Sequence, residues 1–247
     1  MVKLNKLFIL MIAATSTSVF AGAIGSGGVL VTPTVYDITI KKIEFKTAAG
    51  TYTTFSDTTS TMSLGSDALA ANSSAGTLAA GSNLPAGTYT HMRITMNRNF
   101  DVKATGTSNT ITCNTDSDIA SGTTVSVGGV SMPKGLEGGT ASTQTMKVVP
   151  PELETSMDNT DVMSISTTEM KIEFPFSFTK KAKEGLGKMN FEVDVGTSIN
   201  LLHTTGNAAT GDCTVMVMPP QMYITLPDGS TPDFKFAEET GGTNYGY

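Results

Sequence analysis

The chain has 247 residues, a formal net charge of −6 and charged side chains at only 15% of positions. An acidic surface repels phosphate backbones, which excludes nucleic acid as a partner class. Abundant Thr, Ser, Ala and Gly favour strands and turns over helical bundles. With no Trp, the core must come mainly from Val, Ile, Leu, Met and Phe.

Lys3 and Lys6 precede an apolar run from Leu7 to Ala14, and Val19 and Ala21 stand at −3 and −1 of a small-residue exit. This is the layout of a secretory signal peptide over residues 1–21, so the mature protein is expected to be exported. The apolar run is far shorter than the ~20 residues that cross a bilayer, and no later segment reaches that length without charge, so no transmembrane segment is expected after cleavage. No Cys follows Ala21 to carry a lipid.

Residues 22–33 read as a flexible N-terminal arm. Its glycines (GAIGSGG, Gly22 to Gly28) are too mobile for a core, and Val29, Leu30 and Val31 form a short β-prone run able to dock on its own domain or on a neighbour. A single domain over residues 34–236 follows, with an insert at about 106–168 and a tail at 237–247.

Within it, Tyr36, Ile38 and Ile40 alternate with polar residues, then Ile43 and Phe45 continue on the opposite parity. A bulge at Lys41 and Lys42 accounts for the shift. Thr47 to Gly50 turns the chain into a returning strand, Thr51 to Phe55. Ser56 to Ser82 is a long connection with room for one short strand and one short helical turn. After the turn Leu84-Pro85-Ala86-Gly87, Met92, Ile94 and Met96 share one strand face, and Asn97 to Asn99 kinks the chain before Phe100 and Val102.

Short strands are expected at Ile111 to Cys113, Val125 to Val130 and Met146 to Val149, and a loop at Asp158 to Ser164. Met170, Ile172, Phe174, Phe176 and Phe178 alternate in a half-buried strand. Met189 to Val195 alternates likewise, and the two read as hairpin partners across the cationic loop Lys180 to Lys188. Val215 to Met218 is apolar on both faces, and Met222 to Leu226 closes the series. Many short strands with frequent turns define an all-β fold, an antiparallel β-sandwich with long Ser/Thr/Gly-rich loops.

Two stretches resemble a family of extracytoplasmic bacterial and archaeal proteins, often lipoproteins. One is ITIKKIEF (Ile38 to Phe45) with LPAGTYTHMRI (Leu84 to Ile94); the other is GKMNFEVDVGTSINL (Gly187 to Leu201). The resemblance covers about a third of the chain and implies an immunoglobulin-like or transthyretin-like sandwich. It implies no catalytic residues.

Cys113 and Cys213 are the only cysteines, and an even count in an exported chain points to one disulfide. The only histidines are His91 and His203, and with no G-x-S-x-G elbow a hydrolase site is not expected. His91, Met92 and Met96 are soft-ligand candidates for copper, weighed against Met as core filling. Asn114, Asp116 and Asp118 offer alternating oxygens for calcium, but Ile119 and Val125 stand where an EF-hand needs Gly and Glu. No cofactor is therefore expected.

The sequence thus reads as a non-catalytic secreted or cell-surface structural or interaction protein. Its partners would be itself or other surface proteins, met through Val29, Leu30 and Val31 in a filament or matrix. The alternatives are a monomeric binding module for carbohydrate or another surface ligand, with Tyr36, Tyr52, Tyr89 and Tyr223 available for stacking, and a periplasmic copper carrier.

Overall fold

The computed structural model describes residues 28–67, 84–127, 130–147, 163–182, 190–196, 198–203, 212–217 and 221–225. The alternation of Tyr36, Ile38 and Ile40 builds the central strand β2 (Val35–Thr47), preceded by β1 (Val29–Val31). Along one edge of β2 run β3 (Tyr52–Ser56) and β4 (Ser60–Ser63). Along the other run β5 (Gly87–Asn97) and its continuation β6 (Asn99–Lys103). The expected bulge is present: the β2–β5 register slips between Ile40 and Lys42, and Ile38, Ile40, Ile43 and Phe45 are all buried. This is the outcome the two parities require, since one extra residue returns both halves to the same face.

The kink between β5 and β6 is fixed by Arg98, which is only 2% exposed. Its amide donates to the Thr168 carbonyl at 3.0 Å and its Nη1 to the Ser166 carbonyl at 3.1 Å.

Four further strands enter from the insert: β7 (Thr105–Ser108), β8 (Ile111–Asn114) and the pair β9 (Thr124–Val127) and β10 (Val130–Pro133). Val125 to Val130 is therefore two antiparallel strands and not the single strand expected, the Gly128-Gly129 pair being a hairpin signal. The strand β7 has almost no hydrophobic pattern (TGTS) and is formed by pairing with β8. After the two-residue β11 (Leu136–Glu137), β12 (Gln144–Lys147) borders β6.

The alternating Met170 to Phe178 run forms β14 (Glu169–Lys180), with β13 (Met163–Ile165) beside it. Among the described residues it does not pair with the Met189 to Val195 run in the expected hairpin. Strand β14 lies between β13 and β5, while β15 (Asn190–Asp194) pairs with β18 (Gln221–Thr225). Strand β5 occupies one edge of β14 along most of its length, and β13 pairs with the other at Met170 to Ile172. The alternation tells which face a strand buries and nothing about which edge it meets. The last sheet joins β1, β16 (Ile199–His203) and β17 (Cys213–Val217).

The described residues are therefore all-β with antiparallel pairing throughout. The eight-stranded sheet runs β12-β6-β2-β5-β14-β13, with β3 and β4 also on β2. One buried cluster connects its inner face (Phe45, Met92, Ile94, Phe100) with Cys113, Ile199, Leu201, Val215 and Val217. All five residues of β17 are buried, matching its apolar run on both faces. The expected disulfide is formed: Cys113 of β8 bonds Cys213 of β17 across 5.5 Å between Cα atoms. No helix among the described residues is long and apolar enough to cross a membrane.

Candidate functional site

The assembly residues named from sequence occupy a sheet edge. Strand β1 lies antiparallel to β16, with Val29 opposite Leu201, Leu30 opposite Asn200 and Val31 opposite Ile199. Alternation turns Val29 and Val31 inward onto the core, while Leu30 is left 43% exposed, the one large apolar side chain so exposed among the described residues. The floor of this seam is Gly106 of β7. A Cβ there would lie 2.8 Å from Val31 Cγ1, 3.1 Å from Leu201 Cδ1 and 3.2 Å from Val29 Cγ1, so the valines sit where a side chain at 106 would be.

Immediately after β1 the chain crosses to the large sheet through Thr32, Pro33 and Thr34. The Thr32 hydroxyl donates to the Gly196 carbonyl, and the Thr34 amide to the Lys103 carbonyl at 2.8 Å. Gly65 packs against this crossing so closely that a Cβ would meet the Thr34 carbonyl oxygen at 2.2 Å. The segment N-terminal to Gly28 lies outside the described residues.

The metal candidates are not brought together. His91 and Met92 project from opposite faces of β5. The His91 ring meets the Thr90 hydroxyl on the outer face, whereas Met92 and Met96 are buried with Ile94 between them. Asn114 is buried and donates to the Gly138 carbonyl at 2.7 Å. Asp116 closes a local turn by accepting from the Asp118 amide at 3.1 Å and from the Ser142 hydroxyl at 3.2 Å. No group of three or more His, Cys, Asp or Glu able to hold a metal occurs among the described residues. Of the candidate stacking tyrosines, Tyr36 and Tyr89 are core residues, and the Tyr223 side chain lies outside the described residues.

The remaining tyrosine, Tyr52, belongs to a charged row that sequence reading missed. Glu44 of β2, Arg93 of β5 and Glu173 of β14 are cross-strand neighbours on the outer face of the large sheet. Arg93 donates to Glu44 Oε2 through Nε at 3.0 Å and Nη2 at 2.8 Å, and Lys42 Nζ reaches Oε1 at 2.7 Å. The Tyr52 ring covers the guanidinium at 3.5 Å while its hydroxyl donates to Glu173, which also accepts from Lys46 at 3.0 Å. The only signal for this row was opposite charge at outward positions, and the cross-strand register needed to read it is absent from sequence.

Burial pushes the Glu44 carboxyl up, but hydrogen bonds and charge from Lys42 and Arg93 outweigh it and hold Glu44 below its ordinary value. Glu173 behaves likewise, burial being overcome by Tyr52, Lys46 and the charge of His91. The Tyr52 hydroxyl is raised, by burial first and by Glu173 second. An acid–base pair of carboxylates needs one member pushed up to carry a proton. Here both are held ionised and hydrogen-bonded, so the row ties β2, β3, β5 and β14 together.

Near the disulfide, the β7–β8 turn places Asn109 and Thr110 at φ of 50° and 69°. The Asn109 amide donates to the His203 carbonyl at 3.2 Å, and the Ser108 hydroxyl accepts from the His203 amide at 3.0 Å. The His203 ring is buried, its Nε2 lying 3.4 Å from Glu137 Oε2. No family model, curated protein or solved structure matches this chain.

Proposed function

We propose that this chain is an exported, non-catalytic structural subunit that assembles with copies of itself by exchanging its N-terminal strand. The observation that carries the reading is β1: a three-residue strand at a sheet edge, attached to the body through a single crossing and bearing the exposed Leu30. A strand of this kind gives its main-chain hydrogen bonds and two valine contacts equally well to its own β16 or to that of another copy. Signal-peptide cleavage after Ala21 would leave the Gly-rich segment as a free leader to it.

In this reading the fold is an immunoglobulin-like or transthyretin-like sandwich. The Tyr89 hydroxyl supports it by donating to the Pro85 carbonyl four residues upstream at 2.8 Å, the back-bond of a tyrosine corner at the start of a strand. The disulfide between β8 and β17 fits an oxidising compartment.

The exchange reading is tested by locking β1 in its own chain. Leu30→Cys with Asn200→Cys places two thiols directly opposite each other in the β1–β16 register. Under oxidation the locked protein should remain a monomer in light scattering and negative-stain images, at concentrations where the unmodified protein forms assemblies. Assemblies that persist with the lock closed would refute strand exchange. An unmodified protein that stays monomeric at millimolar concentration would refute self-assembly.

A further inference from the structure

We infer that the β1 slot selects its occupant, and that in an assembly the occupant is the Gly28–Val31 segment of a second copy in the register β1 keeps here. This rests on the strand-exchange reading and adds the sequence rule that governs it. The first observation is at Gly28, where a Cβ would lie 2.7 Å from Asn200 Oδ1 and 3.4 Å from Asn200 Nδ2. Asn200 Oδ1 is shielded from solvent and, among the described residues, has no hydrogen-bond partner. A side chain at position 28 would therefore require the Asn200 amide, the movable end of that side chain, to turn aside.

The second observation is the floor. Positions 29 and 31 must be small enough to share the space over Gly106 with Leu201 and apolar enough to close the core, which valine satisfies. Position 30 faces outward, with Leu30 43% exposed opposite Asn200. The slot thus reads Gly-Val-x-Val.

The third observation is in the sequence. Val-x-Val occurs four times, at Val29, Val125, Val193 and Val215, and the residues before them are Gly28, Thr124, Glu192 and Thr214. Only the N-terminal run carries glycine at the position that Asn200 guards. The other three would each require that shift, so exchange favours one segment, and the head-to-tail contact it makes leaves a slot and a strand free for the next copy.

Because a strand in its own chain competes at an effective concentration of order millimolar, exchange requires transient opening of β1. The test uses two full-chain populations mixed at equal concentration, passed through mild denaturant and returned to buffer. The donor carries Leu30→p-benzoylphenylalanine, a photo-cross-linking residue on the outward position, and the acceptor is uniformly 15N-labelled. Illumination should give donor–acceptor cross-links mapping to the labelled peptide that contains Asn200.

Gly28→Val in the donor should lower their yield at least fivefold, and Asn200→Ala in the acceptor should restore it. The same Gly28→Val placed in the acceptor should raise the yield, since it weakens only the competing strand. Cross-links insensitive to Gly28→Val would overturn the selection rule while leaving exchange standing. Assemblies in light scattering with cross-links that map away from residues 199–203 would overturn the slot and leave self-assembly standing. Absence of both assemblies and cross-links would overturn the two together.

Discussion

Gly106→Val isolates the energetics of the β1 seam. The added Cβ would lie 2.8 to 3.2 Å from the methyl groups of Val31, Leu201 and Val29, and the γ-methyls of the new side chain would intrude further. Overpacking of this kind costs about 1–3 kcal/mol if the surroundings are held in place. Docking of β1 is worth about as much. Full burial of a valine contributes at least ~1.5 kcal/mol, so two partly buried valines contribute roughly 2 kcal/mol before the ordering of three residues is set against the ladder hydrogen bonds. The least costly response is release of β1, with β7, β16 and the disulfide staying in place. Hydrogen exchange followed by mass spectrometry should then show peptides spanning residues 28–33 and 199–203 exchanging about 10- to 50-fold faster, since each 1.4 kcal/mol is about tenfold. Peptides from the centre of β2 and β5 should keep their protection. Unchanged exchange at the seam, or uniform loss of protection across the large sheet, would refute this account of Gly106.

Replacing Cys113 and Cys213 together with Ala removes a cross-link between residues 100 apart, which in the chain-entropy picture lowers stability by up to ~4.7 kcal/mol; urea unfolding showing a loss under ~1 kcal/mol would contradict that role. The charged row sets an acid limit. Glu44 and Glu173 are held below their ordinary value of 4.5 in the fold, so their stabilisation is complete above that pH and is lost as the pH falls through the lowered values. Thermal unfolding from pH 7 to pH 3 should show the fall beginning near 4.5, and Glu44→Gln with Glu173→Gln should flatten it; an unaltered acid limb in that variant would assign it to other groups. Thr110 sits in the left-handed region, where a β-branched residue is strained, in the two-residue turn between Ser108 and Ile111. Thr110→Gly should raise stability by about 1 kcal/mol in denaturant unfolding, and a destabilised variant would show that the turn is not strained.

The amino-acid sequence by itself determined which residues alternate, where bulges and kinks fall, and that Cys113 and Cys213 had only each other to bond. These are local matters: a period of two, a parity change at Lys41–Lys42, an Asn-rich break at residues 97–99 and a count of cysteines all act within a few residues or by arithmetic. The Val29 to Val31 strand was legible for the same reason. Only the tertiary structure decided partners. The run at Met170 to Phe178 would satisfy the same alternation beside any edge, yet it lies between β5 and β13. The TGTS segment became a strand because β8 lay beside it, and Glu44, Arg93 and Glu173 became one row because three distant strands share a register. The β1 seam shows both halves of the division. Its valines follow from local pattern, whereas the glycine beneath them and the asparagine at its end belong to strands about 75 and 170 residues further along, which only folding brings to the same place.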